Sequence, residues 1–508
     1  MTSVWLDGAA DIGSDPFLAG TDNDIVIVGA GLAGLVTAVL LARAGRQVVV
    51  LEARRPGAVT TGNTTGKLTL LQGAQLSKIV RSHGSAVAAA YIEGNRTAQD
   101  WILDYCSTHG VPFDRRDAWT YAVTESGRSK VQDEFDAARQ VGLAVSREPA
   151  TELPYEVVDA IRLPDQAQLY PMELLAALTR ELRELGGAVV QHCRVQDIHL
   201  DRRVRLETEA GDTTAARVVL TSGLPFLDRG LYFAKVMAQR SYATAFSEVD
   251  APPQGMYLSV DRITRSLRTA THDGKELLIV GGNGHDVGRP PKPPSELVRD
   301  LVDWTEQRFP GAAQTHTWSA QDYRSPSGVP FVGRLPRGAG KVYLATGFSK
   351  WGMTNAPMAA MMIAGQIVGD RPSWARRLGH RVSRPRVAAT VLGFDTKIGG
   401  YATTGWLGAE ARQLQDRGPT PAEGEGVVGA RRGRPVAIST VDGQTCELQA
   451  VCTHLGGIVA WNDLERSWDC PLHGSRFAAD GSVLEGPATA PLPPVTPVRA
   501  KEADVSGQ

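Results

Sequence analysis

Asp24-Ile25-Val26-Ile27-Val28-Gly29-Ala30-Gly31-Leu32-Ala33-Gly34 is the stretch that decides the fold of this chain. A run of β-branched residues leads directly into a G-x-G-x-x-G turn. Residues 35–44 continue as an Ala- and Leu-rich helix, residues 47–51 as a second apolar strand, and Glu52 ends that strand with a carboxylate. In this order the parts form a dinucleotide-binding fingerprint. Gly29 makes the turn, Gly31 admits a pyrophosphate, and Gly34 lets the helix pack on the strand. The helix N-terminus faces the phosphates, and Glu52 can accept hydrogen bonds from a ribose. A glycine-rich turn alone would say little. The register of strand, helix, second strand and acid makes the signal specific.

Working outward, 508 residues allow roughly two to four domains at ~100–200 residues each. The 54 basic and 55 acidic residues give a formal net charge of −1. That balance argues against a nucleic-acid partner or a polybasic membrane anchor. Five cysteines are too few for a disulfide framework. Residues 1–23 form a polar N-terminal segment with Asp7, Asp11, Asp15 and Asp22 but no Lys or Arg, which reads as no signal peptide. The apolar run at 357–368 is shorter than the ~20 residues a bilayer needs. The expectation is a cytoplasmic protein with no membrane span.

Residues 24–370 alternate short apolar strands with helical segments, as an α/β fold does. Parts at about 24–75, 150–225 and 335–370 are expected to form a Rossmann-like nucleotide domain. Parts at about 76–149 and 226–334 are expected to form an interleaved α+β substrate domain. Residues 371–424, rich in Arg, Gly and Pro, read as a connector. Residues 425–508 read as a small all-β module, with strands at 435–440 and 447–451 joined across Asp442-Gly443.

That module ends in a cluster of metal ligands: Cys452-Thr453-His454, then Cys470-Pro471-Leu472-His473. Two thiolates for one iron and two imidazoles for another make a Rieske-type [2Fe–2S] set. Zinc fingers pair Cys with Cys and His with His, so the interleaved Cys-His…Cys-His order argues against zinc. Gly456, Gly457 and Gly474 let two tight loops close around the cluster. The segments 452–457 and 468–477 closely resemble the Rieske family. One departure matters. Rieske proteins of quinol-oxidising respiratory complexes carry a further Cys in each loop and join the two as a disulfide; here those positions are Gly457 and Leu472. Ser475 stands where the family places a serine bonded to cluster sulfur, and Phe477 where a Tyr is frequent. The resemblance implies a potential in the middle or lower Rieske range.

The stretch Thr60-Thr61-Gly62-Asn63-Thr64-Thr65-Gly66-Lys67, with Lys341–Thr346 and then Gly347-Phe348-Ser349-Lys350-Trp351-Gly352-Met353-Thr354-Asn355-Ala356-Pro357, resembles the glycine-oxidase and D-amino-acid-oxidase class of FAD enzymes. The resemblance implies FAD held by Gly29, Gly31, Leu32, Ala33, Gly34, Glu52, Ala53, Arg54, Thr61 and Thr65. It adds Val195, Thr221, Gly347, Trp351, Gly352, Met353 and Thr354. Thr354 and Asn355 are expected to cap a helix with Pro357 in its first turn. In that class the turn meets the flavin's pyrimidine edge, where Lys350 would stabilise an anionic reduced flavin; a solvated surface lysine is the alternative. No Cys lies near Gly347, and Asn63 stands where some relatives place His, so the FAD is expected to be non-covalent.

A flavin collects two electrons and a Rieske cluster moves one, so together they suggest a dehydrogenase that drains flavin into cluster; oxygen remains an alternative acceptor. The resembling enzymes oxidise C–N bonds. Where glycine-oxidase-like enzymes place an arginine for a substrate carboxylate, this chain has Asp322, which would favour an ammonium. A structural ion pair of Asp322 with Arg324 is an equal alternative. His285 reads as structural in a glycine-rich turn, Cys106 and Cys193 as packing residues, and Cys446 as a strand residue. Two further functions stay open: an electron-transfer component serving a partner oxygenase, and a redox sensor. The former needs a second nucleotide fold, and no second G-x-G-x-x-G follows a strand.

Overall fold

A computed structural model describes residues 1–379, 400, 404–409 and 420–495. Most of the connector and the last residues of the C-terminal module lie outside the described residues.

The apolar run around Ile25 is buried on both faces, which is how a central parallel strand reads. Strand Asp22–Val28 pairs in parallel with Val48–Leu51 on one side and Gly211–Leu220 on the other. Ala188–Val190 and Val342–Thr346 extend this sheet in parallel, and Phe331–Arg334 adds an antiparallel edge. The hairpin of Val195–Leu200 and Val204–Thr208 joins through Gly211–Leu220. Helices Leu32–Arg43 and Gly352–Val368 pack on this sheet and on each other. Gly34 permits that approach, because a Cβ there would fall 1.9 Å from the Gly29 carbonyl oxygen.

A second, nine-stranded sheet runs in the order Ala313–Arg324, Met237–Ser247, Lys275–Asp286, Arg265–His272, Met256–Ser259, Phe113–Ala122, Asp159–Leu169, Lys67–Leu68, with Ser146–Arg147 on Asp159–Leu169. The strands do not keep to the expected partition. Asp159–Leu169 and Lys67–Leu68 fall in the second sheet, whereas Phe331–Arg334 falls in the first. Alternating burial marks a strand but does not say which sheet it joins.

The C-terminal module holds a three-stranded sheet of Gly426–Arg431, Arg434–Val441 and Gln444–Gln449. Cys446 lies in the last of these strands. A four-stranded sheet of Ala460–Asn462, Ser467–Asp469, Arg476–Ala478 and Val483–Glu485 follows. Cys452, Cys470, Trp468 and Phe477 share its core. Among the described residues no helix is long and apolar enough to cross a membrane.

The N-terminal segment is not a loose polar tail. Val4 and Trp5 are buried in a cluster with Ala243, Ala245, Ile279 and Trp318 of the second sheet. Trp5 Nε1 donates to the Thr64 carbonyl at 2.6 Å, and Ser3 Oγ donates to the Gly62 carbonyl. The segment therefore props the loop around 61–65.

Candidate functional site

Helix Leu32–Arg43 begins at Gly31 with no side-chain cap and no acidic residue in its first turn. Its N-terminus opens into a cavity, and the rest of the site is built around that opening. Gly29, Gly31, Leu32 and Ala33 line the cavity from the turn. Glu52, Ala53 and Arg54 line it from the end of the second strand, and Thr61 from the loop beyond. The Glu52 carboxylate accepts from the Ala30 and Arg54 backbone N–H groups, both at 2.8 Å. Burial pushes its pKa up, and those two N–H donors oppose the shift. Each carboxylate oxygen keeps a lone pair for a further donor. Thr61 Oγ1 accepts from Leu32 N–H at 3.2 Å, and a Cβ at Gly31 would crowd the same hydroxyl at 3.2 Å. An uncapped helix N-terminus, a glycine floor and a carboxylate at the end of the neighbouring strand fit the phosphates and ribose of FAD.

The other expected residues divide. Val195 and Thr221 line the cavity, as do Gly347, Lys350, Gly352, Met353 and Asp322. Gly34 serves the packing of helix on strand. Thr65, Trp351 and Thr354 do not line the cavity. The Thr65 carbonyl accepts from Arg268 at 2.8 Å. The helix starts at Gly352, so Trp351 is its N-cap residue and Thr354 and Asn355 fall inside it, not at its cap. Both are buried; Thr354 accepts from Gln72, and Asn355 donates to Tyr91 and to the Phe348 carbonyl. Pro357 consequently sits in the second turn. Asn63 donates to the Ala58 and Val59 carbonyls. His285 meets Tyr242 at 2.9 Å through Nε2 and does not line the cavity, so it is structural. Cys106 and Cys193 both pack in hydrophobic cores, and Cys193 also borders the cavity.

In the C-terminal module, Cys452 N–H donates to the Gly457 carbonyl and Cys470 N–H to that of Ser475, closing two tight loops. The His454 and His473 rings lie 5.0 Å apart at 89°. Burial lowers both imidazole pKa values, that of His473 to about 3, and so favours the neutral form a metal needs. Both ring nitrogens of His454 are buried, and Nε2 stands 3.4 Å from Asp228 Oδ1. Two interacting thiols and two neutral imidazoles on facing loops fit a [2Fe–2S] cluster. A Cβ on Gly457 would lie 2.7 Å from Leu472 Cγ. The two positions that resemble disulfide cysteines therefore face each other, with the leucine filling the space. Phe233 of the preceding domain packs edge-on against both histidines.

Sequence reasoning missed how the two sites meet. Residues 484–489 of the C-terminal module line the same cavity as the glycine turn. Ala488 N–H in that segment donates to Ser475 Oγ at 3.0 Å, and the Ser475 hydroxyl helps draw the Cys452 thiol pKa down. Gln321, next to Asp322, donates to the Gly474 carbonyl at 2.7 Å. Arg240 binds Glu465 through two nitrogens, and Ser295 binds Asp463. These pairs lie far apart in sequence and leave no local signal.

Comparison with known proteins agrees with this geometry. Residues 24–366 match the FAD dependent oxidoreductase family and residues 414–496 the Rieske [2Fe-2S] domain. A Bacillus subtilis (strain 168) protein described as a Rieske 2Fe-2S iron-sulfur protein, YhfW, is 30% identical over 492 residues, covering 95% of this chain and 96% of its own. In fold, the chain is similar to glycine oxidase from Geobacillus kaustophilus (TM-score 0.57, 19% identity, 70% of this chain and 96% of that one). It is similar to the same degree to L-proline dehydrogenase from P. horikoshii (TM-score 0.57, 18% identity, 70% and 96%). The chain therefore belongs to the FAD-dependent oxidoreductase family, an enzyme whose cofactors are FAD and the [2Fe–2S] cluster of a C-terminal Rieske domain.

Proposed function

We propose that this oxidoreductase oxidises the C–N bond of an amine or amino-acid-like substrate and passes the electrons singly to its Rieske cluster, for delivery to a one-electron acceptor or oxygen. When bound, FAD supplies two-electron chemistry and the cluster one-electron chemistry. The observation that carries the reading is the shared wall: residues 484–489 of the Rieske domain line the FAD cavity, and Ala488 is bonded to Ser475 of a cluster loop. In this reading Asp322 draws a cationic substrate toward the cavity, and Lys350 favours negative charge beside it. The unpaired thiols of Cys106, Cys193 and Cys446 suit a reducing cytoplasm.

The test is anaerobic addition of candidate amines to the holoenzyme, followed by absorption and electron paramagnetic resonance. An amine that bleaches the flavin and then produces the reduced-cluster signal supports the reading. Bleaching by NAD(P)H alone replaces it with the oxygenase-partner role.

A further inference from the structure

Away from both redox sites, three side chains from distant parts of the chain converge on one point. Asp7 comes from the N-terminal segment, His272 from the end of strand Arg265–His272, and His316 from strand Ala313–Arg324. Each offers one ligand atom, and these atoms all lie within 4.8 Å of one another. His316 Nε2 stands 3.1 Å and His272 Nε2 3.4 Å from the same oxygen, Asp7 Oδ2. The two rings meet edge to face, 5.2 Å apart at 88°. His316 Nδ1 is 3.0 Å from Thr315 Oγ1, a partner that fixes the ring and leaves Nε2 toward the convergence point. Asp273 Oδ2 is 3.7 Å from His272 Nε2, a further carboxylate within reach.

The separations of both histidines from Asp7 Oδ2, 3.1 and 3.4 Å, match those of ligands around one ion. A tetrahedral zinc with bonds of about 2.0–2.1 Å separates adjacent ligand atoms by about 3.3–3.4 Å. Two imidazoles with a carboxylate suit zinc or its first-row neighbours better than magnesium or calcium, which prefer all-oxygen sets. Asp7 is exposed and both histidines are partly buried, so the point is open to loading from solvent.

We propose that Asp7, His272 and His316 form a zinc-class cation site that staples the N-terminal segment to the second sheet. The site's position gives it a purpose. Asp7 lies two residues after Trp5, whose indole holds the Thr64 carbonyl, and Thr2 bridges Thr317 beside His316. Thr61, in the same loop, contacts the N-terminus of the FAD-binding helix. A cation here ties the prop behind that loop to the strands that carry the histidines, and its role is structural.

The test uses untagged holoenzyme, dialysed against chelator and re-equilibrated with zinc, with metals counted by elemental analysis. The cluster's own iron serves as the internal standard and excludes zinc lodged at vacated cysteines. A single equivalent of zinc is expected in the wild type, lost in both Asp7→Ala and His316→Gln. Zinc should raise Tm and slow proteolysis of the N-terminal segment in the wild type alone. The exposed Asp7 can be changed without disturbing the core, so its variant reports binding and not misfolding. No zinc above background in the wild type, or equal zinc in the wild type and either variant, overturns the proposal.

Discussion

Lys350 Nζ stands 2.8 Å from Asp322 Oδ2 on the wall of the FAD cavity and donates to Ser241 Oγ at 3.0 Å. The sequence suggests Arg324 as a partner for Asp322 and solvent as the alternative surrounding of Lys350; the structure pairs Asp322 with Lys350 instead. Ser349 and Lys350 both adopt positive φ, 52° and 71°. For non-glycine residues that conformation costs of order 1 kcal/mol or more and is retained where the surroundings impose it. Asp322 Oδ1 is buried and has no hydrogen-bond partner among the described residues. One carboxylate oxygen is thus spent on Lys350, and the other is left unpaired among the described residues.

Asp322→Asn should therefore weaken recognition of a cationic substrate. A charge-assisted hydrogen bond is worth about 1.5–3 kcal/mol, so KM for an amine should rise by roughly tenfold or more. Steady-state kinetics with a cationic and a neutral substrate analogue decide it. An unchanged KM for the cation removes Asp322 from substrate recognition.

The Arg240–Glu465 pair should hold the Rieske domain on the second sheet. Arg240 is almost wholly buried, and its partner is largely so. Burial alone would raise the Glu465 pKa, but Arg476 and Arg240 hold it down to about 2. A carboxylate held below its ordinary 4.5 adds stability above that pH, and the contribution is lost as pH falls toward 2. Removing one partner of a buried pair costs about 3–5 kcal/mol. Glu465→Gln should lower Tm clearly at neutral pH, and the gap to wild type should narrow as pH drops below 4.5. A gap that stays constant with pH would show that the charge of Glu465 is not what stabilises the junction.

Both cofactor sites were legible because their signals are local. Gly29 to Glu52 and Cys452 to His473 each carry their chemistry within a short span, where steric and ligand demands fix the residue types. What joins them was not legible. Tyr323 meets the Gly486 carbonyl, and Arg194 meets that of Val483, across more than a hundred residues. Periodicity marks such segments as strands or turns without naming their partners. The burial of Val4 and Trp5 was hidden because four aspartates dominate the composition of residues 1–23. Thr354 was misplaced because its polarity suggested a cap, while its hydroxyl is spent on Gln72 inside the fold.

Glu485 should make stability fall as pH rises toward neutrality. It borders the FAD cavity, and burial pushes its pKa up to about 7 against the pull of Arg476 and Arg240. Between its ordinary 4.5 and about 7 the folded state keeps the proton that the unfolded state has lost. Stability therefore declines across that window and levels off above it. Glu485→Gln should flatten the decline and gain on the order of 2–3 kcal/mol above pH 7. Denaturant midpoints across the window measure it; parallel curves for variant and wild type exclude the effect.

Ser475 and Phe477 should set the cluster potential in opposite directions. The Ser475 hydroxyl helps draw the Cys452 thiol pKa down while accepting from Ala488, and Phe477 is fully buried in the same core with no hydroxyl to offer. A donor to cluster or cysteine sulfur stabilises the reduced, more negative state and raises the potential. Ser475→Ala should lower it, and Phe477→Tyr should raise it, in redox titrations of the holoenzyme. Adding an oxygen to a packed core also costs about 1–3 kcal/mol, so Tm is measured alongside to separate strain from electronic effect. A Phe477→Tyr protein that folds with cluster intact and shows no upward shift would sink the idea that the missing hydroxyl keeps this potential low.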